Sequence, residues 1–177
     1  MKLIDILKEI EIKNKKIIGT GFEGNVYNVG KDKIAKYSNY TDGFDSEDIE
    51  QYNMFNKHPD LFPHIYKLTK HYVIMDRLDV HSKSISDVYD FLDDVDIWRD
   101  EDFIAEIFSS VKENDLETLN QILQKAKELN ENEVYNTLKK CLEFCIKVDN
   151  FFKNEWIDFH SGNIGLDSKG DIKVFDL

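Results

Sequence analysis

Ile157-Asp158-Phe159-His160-Ser161-Gly162-Asn163, followed by Val174-Phe175-Asp176-Leu177, is the stretch whose reading decides the fold of this chain. An aspartate and an asparagine stand five residues apart, and a second aspartate follows the asparagine after thirteen more. Between them Ile164-Gly165-Leu166 and Ile172-Lys173-Val174-Phe175 flank the turn residues Asp167-Ser168-Lys169-Gly170, the signature of a β-hairpin. Each residue alone has an ordinary account. Asp158 could cap a turn, Asn163 could be a turn residue, and Asp176 could be a solvated carboxylate.

The opposite end of the chain carries a second ordered set. Gly19-Thr20-Gly21-Phe22-Glu23-Gly24-Asn25-Val26 matches G-x-G-x-x-G-x-V, where glycines let a backbone close over phosphates without side-chain obstruction. A dinucleotide-binding fingerprint has similar glycines but opens a helix, whereas the residues after Gly24 alternate as a strand. Strands are expected at Ile17-Ile18, Asn25 to Val29 and Lys33 to Tyr37, with Gly30-Lys31-Asp32 as the turn. Lys36 stands ten residues after Val26 in Ile34-Ala35-Lys36. A helix over Asp45 to Asn56, closed by His58-Pro59 and Phe62-Pro63, offers Glu47 and Glu50 as carboxylates. Ile65 to Thr69 and Tyr72 to Met75 then read as paired strands running into Asp76-Arg77-Leu78-Asp79.

Taken in order, these motifs resemble the protein-kinase superfamily over nearly the whole chain. The loop wording Asp-Phe-His-Ser-Gly-Asn is closer to the D-L-H-P-G-N of aminoglycoside and other small-molecule phosphotransferases than to the R-D-L-K-P-x-N of eukaryotic protein kinases. The resemblance implies an α+β, protein-kinase-like bilobal fold. Residues 1–78 would form an N-lobe of antiparallel sheet plus helix, and residues 79–177 a reduced, mostly helical C-lobe. It implies ATP and Mg²⁺ as cofactors, with Gly19, Gly21, Gly24 and Val26 over the phosphates and Lys36 on the α- and β-phosphates. Lys36 would pair with Glu50, with Glu47 as the alternative. Met75 would be the gatekeeper, and Asp76 and Leu78 would meet the adenine edge. Asp158 would act as base toward a hydroxyl, and Asn163 and Asp176 would hold the metal. His160 would contact phosphate or serve the loop structurally.

The departures from the family are as informative. Trp156 and Ile157 replace the H-R before the loop aspartate, Asp176-Leu177 replaces D-F-G, and the activation loop and later helices have no counterpart. Helices are expected through Val88, Leu92, Val95, Trp98, Phe103, Ile104 and Ile107, and two more from Asp115 to Lys153. The last carries Val134, Leu138, Cys141, Leu142, Cys145, Ile146, Val148 and Phe152 along one expected buried stripe, which makes the two cysteines core residues. Leu3, Ile4, Leu7 and Ile10 suggest an amphipathic helix that packs on the domain behind it.

The 177 residues are 41% hydrophobic, enough for a core, and carry a formal charge of −12. That charge argues against nucleic acid or anionic membrane as a partner, since the long-range field repels both. No run approaches the roughly 20 apolar residues of a membrane span, and the N-terminus lacks a secretory pattern, so a cytoplasmic location is expected. The composition resembles that of proteins from AT-rich genomes, including bacteriophages with small kinase-like proteins, for which the compartment would be the host cytoplasm. The favoured function is transfer of the γ-phosphate of ATP to a hydroxyl, on a protein Ser/Thr in preference to a small molecule. The alternative is a kinase-like protein that binds and inhibits a partner through Asp87, Asp90, Asp93, Asp94, Asp96, Asp100, Glu101 and Asp102.

Overall fold

Branched and aromatic residues dominate the segments between Ile17 and Asp76, and these form the strands of one sheet. The computed structural model describes residues 11–21, 24–95, 102–153, 157 and 159–176. The chain divides into two compact units, Met1–Leu78 and Asp79–Leu177.

In the first unit β1 (Ile17–Thr20), β2 (Gly24–Asn28), β3 (Lys33–Ser38), β4 (Ile65–Leu68) and β5 (Tyr72–Asp76) form an antiparallel sheet of order β1-β2-β3-β5-β4. The register sets Lys36 between Val26 and Val73, and Ile34 opposite Met75, so these side chains share one face. Tyr27, Ala35 and Tyr72 are buried in one cluster with Ile12, and Tyr37 and Ile74 pack against it. Of the expected N-terminal helix, residues 11–13 are helical; Leu3, Ile4, Leu7 and Ile10 lie outside the described residues.

Helix α1 (Ser46–Phe55) starts where Asp45 accepts hydrogen bonds from the Glu47 and Asp48 amides, a capping box completed by Asp48. Its Tyr52 and Phe55 are buried, and Phe55 stacks on Phe62 with centroids 4.6 Å apart. Burial of each such ring contributes about 1.5–3 kcal/mol. Asn56, just past the helix, both donates to the Ile65 carbonyl (2.9 Å) and accepts from its amide (2.8 Å), fixing where β4 begins.

The second unit holds α2 (Lys83–Val95), α3 (Phe103–Glu113), α4 (Glu117–Glu128) and α5 (Asn132–Phe152), then a 3₁₀ turn Ser161–Asn163 and the hairpin β6 (Ile164–Leu166) and β7 (Ile172–Val174). Helix α5 is the central element, packed against α2, α3, α4 and β7. The acidic stretch expected to be helical through Ile107 forms two helices among the described residues, because Asp102 caps a fresh start at Phe103. Trp98 lies outside them.

The α5 stripe is narrower than its sequence suggests. Val134, Leu138, Cys141, Cys145 and Val148 are buried together with Phe144, but Ile146 is 39% exposed and Leu142 only half-buried. Residues 134, 138, 141, 145 and 148 alternate steps of four and three and stay on one line, whereas 142 and 146 fall one step, about 100°, to its side. Burial pushes the Cys141 thiol up to about 12 and the Cys145 thiol well above its ordinary value.

Candidate active site

The hairpin turn is built by one side chain. Asp167 Oδ1 accepts from the amides of Lys169 (2.8 Å) and Asp171 (3.0 Å), and Oδ2 lies 3.9 Å from the buried Lys173 ammonium. At the open end the Phe175 amide donates to the Asn163 carbonyl at 3.0 Å, extending the ladder one pair beyond Ile164 and Val174. Asn163 and Asp176, thirteen residues apart in sequence, therefore emerge at the same end of the hairpin, both half-buried. On the far side, Asp79 and Leu166 exchange backbone hydrogen bonds of 2.8 and 3.0 Å.

The loop before Asn163 is pinned on both sides of His160. Phe159 is buried between Phe108 of α3 and Phe144 of α5, at centroid distances of 4.5 and 6.3 Å. Ser161 donates twice to Asp102 Oδ2, from its amide at 2.7 Å and its hydroxyl at 2.8 Å. Asp102 Oδ1 accepts from the Ala105 amide at 3.0 Å and caps α3. Asp102 thus leaves the expected acidic docking face: its carboxylate is committed to the interior of its own unit. Asp90, Asp93 and Asp94 stay exposed, and Asp96, Asp100 and Glu101 lie outside the described residues.

His160 Nδ1 accepts from the Gly162 amide at 3.0 Å, so in the neutral ring the proton sits on Nε2. A Cβ at Gly162 would lie 2.7 Å from His160 Cε1, so a side chain there would push the imidazole ring aside. Tyr89 of α2 meets the Phe103 ring edge-on at 4.7 Å. Burial first, opposed by the neighbouring Ser161 hydroxyl and aided by the Asp102 charge, raises the Tyr89 phenol. Asp79, His81, Ile85, Tyr89, Ser161 and Gly162 help wall a cavity of about 280 Å³. Asp158, the expected base, lies outside the described residues.

In the first unit the described ends of the expected phosphate loop are joined by hydrogen bonds. The Gly21 amide donates to the Gly24 carbonyl at 2.9 Å, and Asn39 bridges the Gly21 carbonyl (3.1 Å) and the Asn25 side chain (2.8 Å). A Cβ on Gly24 would sit 2.4 Å from the Tyr37 carbonyl oxygen, so this glycine is required by strand packing, whereas one on Gly19 would meet Val26 at an ordinary 3.6 Å. Lys36 is half-buried on the face it shares with Val26, Val73 and the buried Met75; Glu47 and Glu50 are exposed on α1.

At the end of β5 the Asp76 carboxylate accepts from the His64 amide (3.0 Å) and the Tyr66 hydroxyl (2.8 Å), and that bond, before burial and the charges of Asp76 and Asp32, raises the Tyr66 phenol. The Asp76 amide goes to the His64 carbonyl (3.1 Å) and the Arg77 amide to the Asp32 carbonyl (3.0 Å).

Asp102, Tyr89 and Asn39 were not singled out for the site by sequence. Asp102 immediately precedes an apolar run, a helix-start signal, but its bond to Ser161 spans 59 residues and leaves no local trace.

No protein-family model matches the chain, and no curated protein does. Among solved structures it is similar to the streptomycin–ATP–APH(2'')-IIa ternary complex, at 13% identity and a TM-score of 0.39, over 98% of this chain and 68% of that one. Among the described residues no helix is long and apolar enough to cross a membrane.

Proposed function

We propose that the protein is an ATP-dependent phosphotransferase that passes the γ-phosphate to a hydroxyl. The observation that carries this reading is the convergence of Asn163 and Asp176 at one end of a hairpin. The loop leading into it is held by an aromatic pocket at Phe159 and a carboxylate at Ser161. Rigid support on both sides of a short polar loop is what a positioned catalytic group requires.

The donor set fits magnesium. An amide oxygen and a carboxylate oxygen are hard ligands, and Mg²⁺ bound with nucleotide takes one or two protein groups, the rest being phosphate and water. Bound there, the ion would neutralise charge on the phosphates. Asp158 would orient the acceptor hydroxyl and take its proton. Lys36 would bind the α- and β-phosphates, with Glu50, or Glu47, as its carboxylate partner. Gly19, Gly21, Gly24 and Val26 would cover the phosphates, with Met75 as gatekeeper. Because the Asp76 and Arg77 amides are already donated within the chain, Leu78 supplies the hinge N–H for the adenine edge, alongside the Asp76 carbonyl. His160 Nδ1 holds the loop, which favours the structural reading of that residue.

The acceptor proposed is a hydroxyl on a protein side chain in preference to one on a small molecule.

The experiment is Mg²⁺-dependent turnover of ATP by the wild type beside Asp158→Ala and Asp176→Ala. Turnover lost in both variants, with melting temperatures retained, supports the reading. Turnover absent from the wild type, or unchanged in the variants, rejects it. The exposed carboxylates of α2 would then be the place to look for a partner-binding function.

A further inference from the structure

We infer that Asp102 is a positioning residue that fixes the loop leading into Asn163 through Ser161. The inference builds on the phosphotransferase reading of that loop.

A helix cap needs one acceptor oxygen, and Asp102 Oδ1 fills that role at Ala105. The second oxygen receives two short bonds from a residue 59 positions away. Hydrogen bonds to an ionised carboxylate are roughly twice as strong as neutral ones, and here two of them converge on one turn. A carboxylate only accepts, so the Ser161 hydroxyl gives its proton to Asp102.

Two segments of the second unit, the start of α3 and the loop, are thereby locked together. Ser161 lies two residues before Asn163, so its place sets the register of that residue. Among the described residues the Asp102 carboxylate bonds Ala105 and Ser161, neither of which is assigned to ATP, and its loss should act on the chemical step and leave nucleotide affinity intact.

Asp102→Ser separates cap from clamp, because serine still caps a helix but is too short to hold Ser161. Amide hydrogen exchange over residues 157–164 is expected to accelerate at least about tenfold in this variant, the scale of one bond to a charged group. Exchange in α3 should stay as in the wild type. In the ATP assay kcat should fall at least about tenfold while KM for ATP moves less than about twofold.

Exchange within about twofold of the wild type overturns the clamp, whether or not the protein turns over ATP. Accelerated exchange with an unchanged kcat overturns the positioning role. A wild type that never turns over ATP counts against the phosphotransferase reading, and the exchange comparison still decides the clamp.

If Asp102→Ser does not fold, Ser161→Ala replaces it, which keeps the Asp102 cap and the Ser161 amide bond. It should lower kcat about threefold, the scale of one lost hydrogen bond. Wild-type kcat and wild-type exchange over residues 159–164 in Ser161→Ala refute the clamp.

Discussion

Two glycines that look alike in the sequence differ in what surrounds them. Gly24 sits against the backbone carbonyl of Tyr37, which cannot move aside, so Gly24→Ala should destabilise the first unit by about 1–3 kcal/mol. Gly19 has room for a methyl group. Gly19→Ala should leave the melting temperature within about 1 °C, a surface-scale change, and should weaken ATP binding several-fold if its backbone covers phosphate. Thermal unfolding of both variants beside an ATP titration separates the structural glycine from the functional one. A Gly24→Ala variant as stable as the wild type would contradict the packing. At this scale the sequence marked the motif but not the division of labour within it, because the clash involves a residue thirteen positions away. Asp102 is the sharper case. Its composition context suggested one more carboxylate on a solvated face, and its actual partner is visible only when the chain is folded.

Elements were far more legible than contacts. The strands from Ile17 to Asp76, the helix after Asp45 and the closing hairpin follow local signals: alternation, a capping aspartate, and turn residues between apolar runs. The α5 stripe was readable in outline and wrong at its margin, since simple inclusion of every apolar residue ignores the 100° step that turns Ile146 to solvent. The consequence is measurable. Leu138→Ala, at a fully buried position, should cost about 2–5 kcal/mol, whereas Ile146→Ala should cost less than about 1 kcal/mol. Similar losses in both would overturn the assigned helix face.

The cysteines on that face test burial by chemistry. Cys141 has its thiol raised from 9.0 to about 12 when folded, so the stability it contributes is complete below about pH 9 and is lost as pH rises toward 12. Both thiols should resist a water-soluble disulfide reagent at pH 8 in the native state and react fully in denaturant. Rapid native-state labelling would place them at the surface.

At the scale of the whole molecule, each unit holds its own part of the proposed chemistry. The first carries the glycines and Lys36 on a five-stranded sheet, and the second carries a loop and hairpin braced by α3 and α5. The ordered spacing of these parts is a property of the sequence itself; the bracing by Phe108, Phe144 and Asp102 was not legible there, because it is tertiary. The most direct test of the central claim is incubation with γ-labelled and, separately, α-labelled ATP plus Mg²⁺, with cell lysate as acceptor, for the wild type and Asp158→Ala. Phosphoryl transfer predicts γ label on an acceptor, no α label, and loss of the γ signal in Asp158→Ala. Transfer of the α label instead would mean nucleotidyl transfer, and no transfer of either label by the wild type would contradict the proposed activity.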